Sequence, residues 1–139
     1  MKIYVYYIGK PRDPHANALA EDYLARLSRF CPVEMWQLRP DRDEPWTRHA
    51  SARKIFLDPG GRQTDSPGFA SLVARAQQEG RDLMFVVGGA DGLPRGWTAH
   101  ADLLLSLSAM TWPHELARAM LTEQLYRAFA TLRGHPYPR

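Results

Sequence analysis

Apolar and polar positions change period several times along the chain, and each change marks an element. Residues 2–8 (KIYVYYI) are crowded with tyrosine, isoleucine and valine and predict a strand. Leu19, Tyr23 and Leu27 recur at helical spacing within 15–30, and Cys31-Pro32 stops that helix. A second strand is predicted over 33–38, followed by a charged, proline-bounded loop at 40–45 and one or two helical turns within 46–52. Residues 54–57 read as a third strand, and Asp58-Pro59-Gly60-Gly61 as a turn. The next helix, 66–80, has Ser66 as N-cap, Pro67 at its first position and Gly80 just past its end. Residues 83–87 (LMFVV) are wholly apolar, the pattern of a strand buried on both faces. A short helix near 94–100, a fifth strand at 103–107 and a long helix over 113–133, ended by Gly134, complete the chain.

Strands and helices alternate throughout, which predicts one α/β domain over 1–139 with a mainly parallel sheet. In such sheets ligands bind beyond the carboxyl ends of the strands. The long helix carries two apolar arcs. Ala117, Leu121, Leu125, Ala128, Phe129 and Leu132 form one, and Leu116, Ala119, Met120, Tyr126 and Ala130 form the other. One arc covers the sheet. The second needs another partner, either a second copy of the chain or the chain's own loops, and a homodimer is the more economical choice.

Composition narrows the class without deciding it. A length of 139 residues and a hydrophobic fraction of 45% suit one core. The net charge is only +3, but fifteen of the eighteen basic residues are arginine, whose planar fork suits phosphate. The single cysteine, Cys31, rules out an internal disulfide and a cysteine-based metal site. The opening MKIYVYYIGK lacks the long apolar stretch of a secretory signal, so the cytoplasm is the expected compartment.

Three segments bear candidate chemistry. Residues 86–93 (VVGGADGL) place glycines where a buried strand gives way to a helix; they form either a plain tight turn or a turn that a ligand approaches closely. The spacing is not GxGxxG, so no dinucleotide fingerprint is present. Residues 105–116 (LSLSAMTWPHEL) run from a strand end through hydroxyls and large apolar groups to the start of the long helix, where anions are attracted. Here Met110 and Trp112 are either core or ligand-facing. The tail 133–139 (RGHPYPR) is basic and aromatic with no acid, suited to stacking bases and pairing phosphates, unless it is simply a frayed terminus.

Together, VVGGADGL, LSLSAMTWPHELAR, LTEQLYRA and the terminal GHPY resemble the RlmH family. That family comprises knotted SPOUT-class methyltransferases acting on N3 of pseudouridine in large-subunit ribosomal RNA. The resemblance is tight over 83–139 and looser over 1–30 and 53–80. It implies a deep C-terminal trefoil knot, S-adenosylmethionine as cofactor, no metal, and two chains pairing to complete each site. By position, cofactor contacts fall on Leu57, Gly88, Leu107, Ser108, Ala109, Met110, Thr111 and Trp112, many of them through backbone groups. Arg127, Arg133 and Arg139 are implied to bind RNA phosphate, and Tyr137 to stack on or hydrogen-bond to the target nucleotide. His135 either assists removal of the N3 proton or contacts a phosphate or base. For Arg127 an equal alternative is an i,i+4 ion pair with Glu123.

The chain departs from the family pattern twice. Residues 39–52 leave room for only a stub where the family usually has a helix, and Pro138 replaces a histidine in the terminal motif. The alternatives are an RNA-binding or ribosome-assembly module of the same fold with weakened catalysis, and a methyltransferase acting on transfer RNA.

Overall fold

The computed structural model describes residues 1–137. Five strands, β1 (Ile3–Ile8), β2 (Val33–Leu38), β3 (Arg53–Gln63), β4 (Leu83–Val87) and β5 (Leu103–Ser106), form one sheet in the order β2-β1-β4-β3-β5. Every pairing is parallel. The central strand β4 is buried along its whole length, as its unbroken apolar run requires.

Alternation along the strands sorts side chains to two faces. Ile3 and Val5 of β1, Ile55 of β3 and Leu83, Phe85 and Val87 of β4 share one core with α1 (Pro14–Leu27), α3 (Ser66–Gln78) and α4 (His114–Leu132). Tyr6, Phe56, Met84 and Val86 face the other way. There a much thinner layer covers them: α2 (Pro45–Arg48) and the 3-10 turn Trp97–His100. The shortened segment between β2 and β3 is therefore still a cover, held by rings. Trp46 lies flat on His100, with centroids 4.1 Å apart, and His49 stacks on Tyr4 at 3.8 Å.

Several local expectations are corrected. The cap of α3 is Asp65, which accepts from Gly68 N at 2.8 Å; Ser66 is the first helical residue, and its hydroxyl donates to Gln124 Oε1 of α4. Asp58–Gly61 does not end the third strand but lies within it, where the register against β5 shifts between Leu57 and Arg62. Gly61 permits this, because a Cβ there would stand 2.6 Å from the backbone carbon of Leu104. The first helix ends at Leu27, and 28–30 form a turn.

The long helix is also more fully covered than its two arcs suggested. It packs against α1, α3 and β4, so Ala119, Tyr126 and Ala130 of the second arc are buried within one chain. Tyr126 meets Tyr23, Phe30 and Tyr137. What the helix leaves open is Leu116 and Leu132, 39% and 43% exposed, with Met120 half-buried.

Candidate functional site

Beyond the carboxyl ends of β4 and β5, and beside the irregular middle of β3, lies a cavity of about 350 Å³, within the size range of small-molecule sites. Its walls are Leu57, Asp58 and Pro59 after the first part of β3, the glycine turn after β4, the run Leu105–Ser108 with Met110–Pro113 after β5, and His114 and Ala117 from the first turn of α4. Two strand ends, the irregularity in β3 and a helix start therefore converge on one space, as expected at the rim of a parallel sheet.

The glycine turn is shaped for close approach. Gly89 and Gly92 form an isolated bridge, with Gly92 N donating to Gly89 O at 2.9 Å, and Gly92 takes a φ of 79°. A Cβ on Gly88 would stand 2.7 Å from the carbonyl carbon of Gly92, so a side chain there would collide with the turn itself. The loop after β5 is held by its own hydroxyls: Ser106 Oγ donates to Ser108 O at 2.8 Å, and Ser108 Oγ accepts from Met110 N at 3.0 Å.

Of the residues expected to contact a cofactor, Leu57, Gly88, Leu107, Ser108, Met110, Thr111 and Trp112 all line this cavity. Ala109 is not among the lining residues and is exposed. Met110 is 76% exposed, so its reading as core is excluded. Sequence reasoning missed Asp58, the one carboxylate in the lining, because it was assigned to a turn.

A second cluster lies elsewhere on α4. Arg127 donates to both oxygens of Glu123, from Nη2 at 2.7 Å and from Nε at 3.1 and 3.2 Å, so the i,i+4 ion pair is formed. Tyr137 folds back onto the same carboxylate, donating to Glu123 Oε2 at 2.5 Å, and its ring packs on Tyr126 and Tyr23. Burial first, and then the bond to Glu123, raises the Tyr137 hydroxyl pKa well above its ordinary value. Through Tyr137 the tail as far as residue 137 is docked rather than frayed. His135 is exposed; its Nδ1 accepts from Tyr137 N at 3.2 Å and its ring edge meets Phe30. Arg133 reaches Phe30 O at 3.4 Å and lies over the Phe30 ring. Arg139 and Pro138 lie outside the described residues.

Among the described residues the two clusters are not joined within one chain. Ala117 borders the cavity, and Arg127 is ten residues further along the helix, a rise of about 15 Å. Two other groups lie in the first turn and a half of α4, next to the lining residues His114 and Ala117. Glu115 accepts from the backbone N–H groups of Arg12 and Asp13, and the Arg12 bond foremost holds its carboxyl below the usual range. Arg118 is only 1% exposed and is held without a carboxylate among the described residues: its guanidinium lies 4.0 Å from the Tyr7 ring centroid and donates to Asn17 Oδ1 at 2.8 Å.

Comparison with known proteins bears on the family and the fold. Residues 1–138 match the family described as predicted SPOUT methyltransferase. The chain is 64% identical over 139 residues, all of both chains, to the ribosomal RNA large subunit methyltransferase H of Solibacter usitatus (strain Ellin6076). It is 38% identical to the protein of that name from Cereibacter sphaeroides (strain ATCC 17029 / ATH 2.4.9), covering 100% of this chain and 99% of that one. That alignment runs over 154 positions and the Solibacter alignment over 139, so the Solibacter protein shares the short form. Among solved structures, a probable methylase family protein from Haemophilus influenzae Rd KW20 superimposes with a TM-score of 0.68 at 10% identity, covering 99% of this chain and 70% of that one. An AdoMet-bound rRNA methyltransferase from Sinorhizobium meliloti does so at 0.59 and 12% identity, covering 91% and 56%. At such identities these likenesses concern the fold.

Proposed function

Because the chain belongs to the SPOUT methyltransferase family, we propose that it methylates N3 of a pseudouridine in large-subunit ribosomal RNA, using S-adenosylmethionine. The full-length 64% identity to a ribosomal RNA large subunit methyltransferase H carries this reading. The cavity fits such a cofactor. Leu57, Leu107, Met110 and Trp112 offer apolar surface, Gly88 and the loop after β5 offer backbone groups at close range, and Asp58 offers a negative charge suited to a sulfonium or a ribose.

When bound, the cofactor supplies an electrophilic methyl group. The chain's residues hold and orient the reactants and exclude water. The target N3–H lies between two carbonyls and is acidic enough to leave without a strong protein base. His135 is the group that assists its departure or contacts a neighbouring phosphate. Arg133 and Arg139 bind RNA phosphate, and Arg127 and Tyr137 form the surface against the target nucleotide.

These groups and the cavity lie apart on α4 within one chain, which supports a homodimer in which the tail cluster of one copy completes the cavity of the other. The exposed Leu116 and half-buried Met120 border the cavity end of α4 and lie in that contact. The C-terminal segment is threaded as a trefoil knot, and the cytoplasm is the compartment. Among the described residues no helix is long and apolar enough to cross a membrane.

The test is transfer of labelled methyl groups to ribosomes from cells lacking the protein, with the modified base located by mass spectrometry. Methyl incorporation at pseudouridine N3 is the expected result. Incorporation only into transfer RNA, or RNA binding without transfer, would overturn the assignment.

A further inference from the structure

We propose that Arg53, Arg62 and Arg75 form a second phosphate-binding site, separate from the tail, that grips the backbone of the RNA substrate. The three arginines line one cavity of about 130 Å³ between α3 and the β3–β5 edge of the sheet. Leu105 belongs to the walls of this cavity and of the one at the strand ends, so the two lie on neighbouring parts of β5.

The chemistry is that of an anion site. Among the described residues no carboxylate comes within 4 Å of any of the three guanidiniums, although four other basic residues do form such pairs. Glu79 follows Arg75 by four residues at the end of α3 but forms no ion pair with it, and the other nearby acids are engaged elsewhere. Helix α3 contains no Asp or Glu, and the only acid in β3 is Asp58, which faces the other cavity. Asp65 is committed to the N–H of Gly68, and Asp102 to Lys54 N and Arg81. The hydroxyls in the lining also donate elsewhere, Ser71 to Pro67 O and Thr64 to Asp65 O, so the guanidiniums supply the donors. Three like charges around one space repel each other until an anion enters, and arginine's fork matches phosphate oxygens. Arg62 and Arg75 are exposed and Arg53 is half-buried, so an extended strand of RNA can reach all three from outside.

The assignment to RNA, rather than to a free phosphate, rests on the methyltransferase reading above, and the experiment separates the two. Binding of a large-subunit RNA fragment is measured against salt for wild type, for Arg62→Gln/Arg75→Gln and for the triple variant with Arg53→Gln. Each lost phosphate contact lowers the steepness of log K against log salt by about 0.7–0.9. The double variant is expected to lose about 1.5 from that slope and to bind roughly tenfold more weakly at moderate salt. Its KM for ribosomes rises while kcat and the heat of cofactor binding stay unchanged, and Arg62→Lys/Arg75→Lys restores the slope. Using the exposed pair keeps the test valid if Arg53→Gln fails to fold. Unchanged slopes in both variants would overturn the proposal. So would arginine-dependent binding of inorganic phosphate or pyrophosphate with RNA binding unaffected, which would make this a small-anion site. If the wild type transfers no methyl but its RNA binding still depends on these arginines, the reaction assigned above fails and this site stands.

Discussion

Replacing Glu123 with glutamine tests how the tail is held. Glu123 is the shared acceptor of Arg127 and Tyr137, and its side chain is only 11% exposed. Glutamine keeps one acceptor oxygen, loses the charge and turns an NH₂ group toward donors. Charge-assisted hydrogen bonds contribute roughly 1.5–3 kcal/mol each, and the substitution removes or weakens about two of them. Arg127 is 30% exposed and regains water, which reduces the cost to roughly 2–3 kcal/mol. At about 3–4 °C per kcal/mol for a chain of this size, the melting temperature falls by roughly 6–12 °C. Two further readouts report on the tail itself. Amide exchange at His135 and Tyr137 speeds up, and a tyrosine that ionises only at unusually high pH in wild type titrates closer to its ordinary value, since Glu123 contributes to that shift. Cofactor affinity changes little, because none of Glu123, Arg127 and Tyr137 lines the cavity of its own chain, and a loss of methyl transfer would report the composite site instead. A melting point within about 2 °C of wild type, with unchanged exchange in the tail, would refute this account of how Tyr137 is docked.

Three other outcomes follow from the geometry. Gly88→Ala places a Cβ 2.7 Å from the Gly92 backbone, so it should cost about 1–3 kcal/mol of stability and also weaken cofactor binding at least tenfold; calorimetry showing wild-type affinity would contradict the tight-turn argument. His49 has its pKa lowered, chiefly by burial and then by the Arg48 charge, and its Nε2 pairs with the Tyr6 hydroxyl at 2.6 Å. Its contribution to stability is therefore complete above the unfolded value of about 6.5 and is lost as pH falls through the lower folded value. Urea unfolding between pH 8 and 5 should show that slope, and His49→Gln should flatten it. Met120→Glu or Leu116→Glu should convert a dimer to monomers in sedimentation; a wild-type monomer at high micromolar concentration would remove the composite site.

How far the sequence could be read depended on how local each cause was. Strand β4 needed only its five apolar residues, and α1, α3 and α4 needed only their spacing and the prolines and glycines at their ends, because these are short-range preferences. The cofactor set was named by resemblance, and the sheet gathered seven of its eight residues from three strands and the loops after two of them into one cavity. Ala109 differs because a contiguous run in sequence must still turn some members outward in a loop. Asp58–Gly61 read as a turn because proline and glycine are turn residues; only the approach of β5 to Gly61 keeps that stretch in the sheet. The fate of the second arc of α4 was likewise invisible in one helix, since α1, Phe30 and Tyr137 come from positions up to about a hundred residues away. Arg127 could face RNA or pair with Glu123 with equal warrant in sequence; the fold forms the pair with the buried carboxylate and leaves the Arg127 side chain 30% exposed. The convergence of Arg53, Arg62 and Arg75 depended on packing alone: they lie in two different elements, and neither their spacing nor their type sets them apart from the other twelve arginines until α3 docks against the sheet.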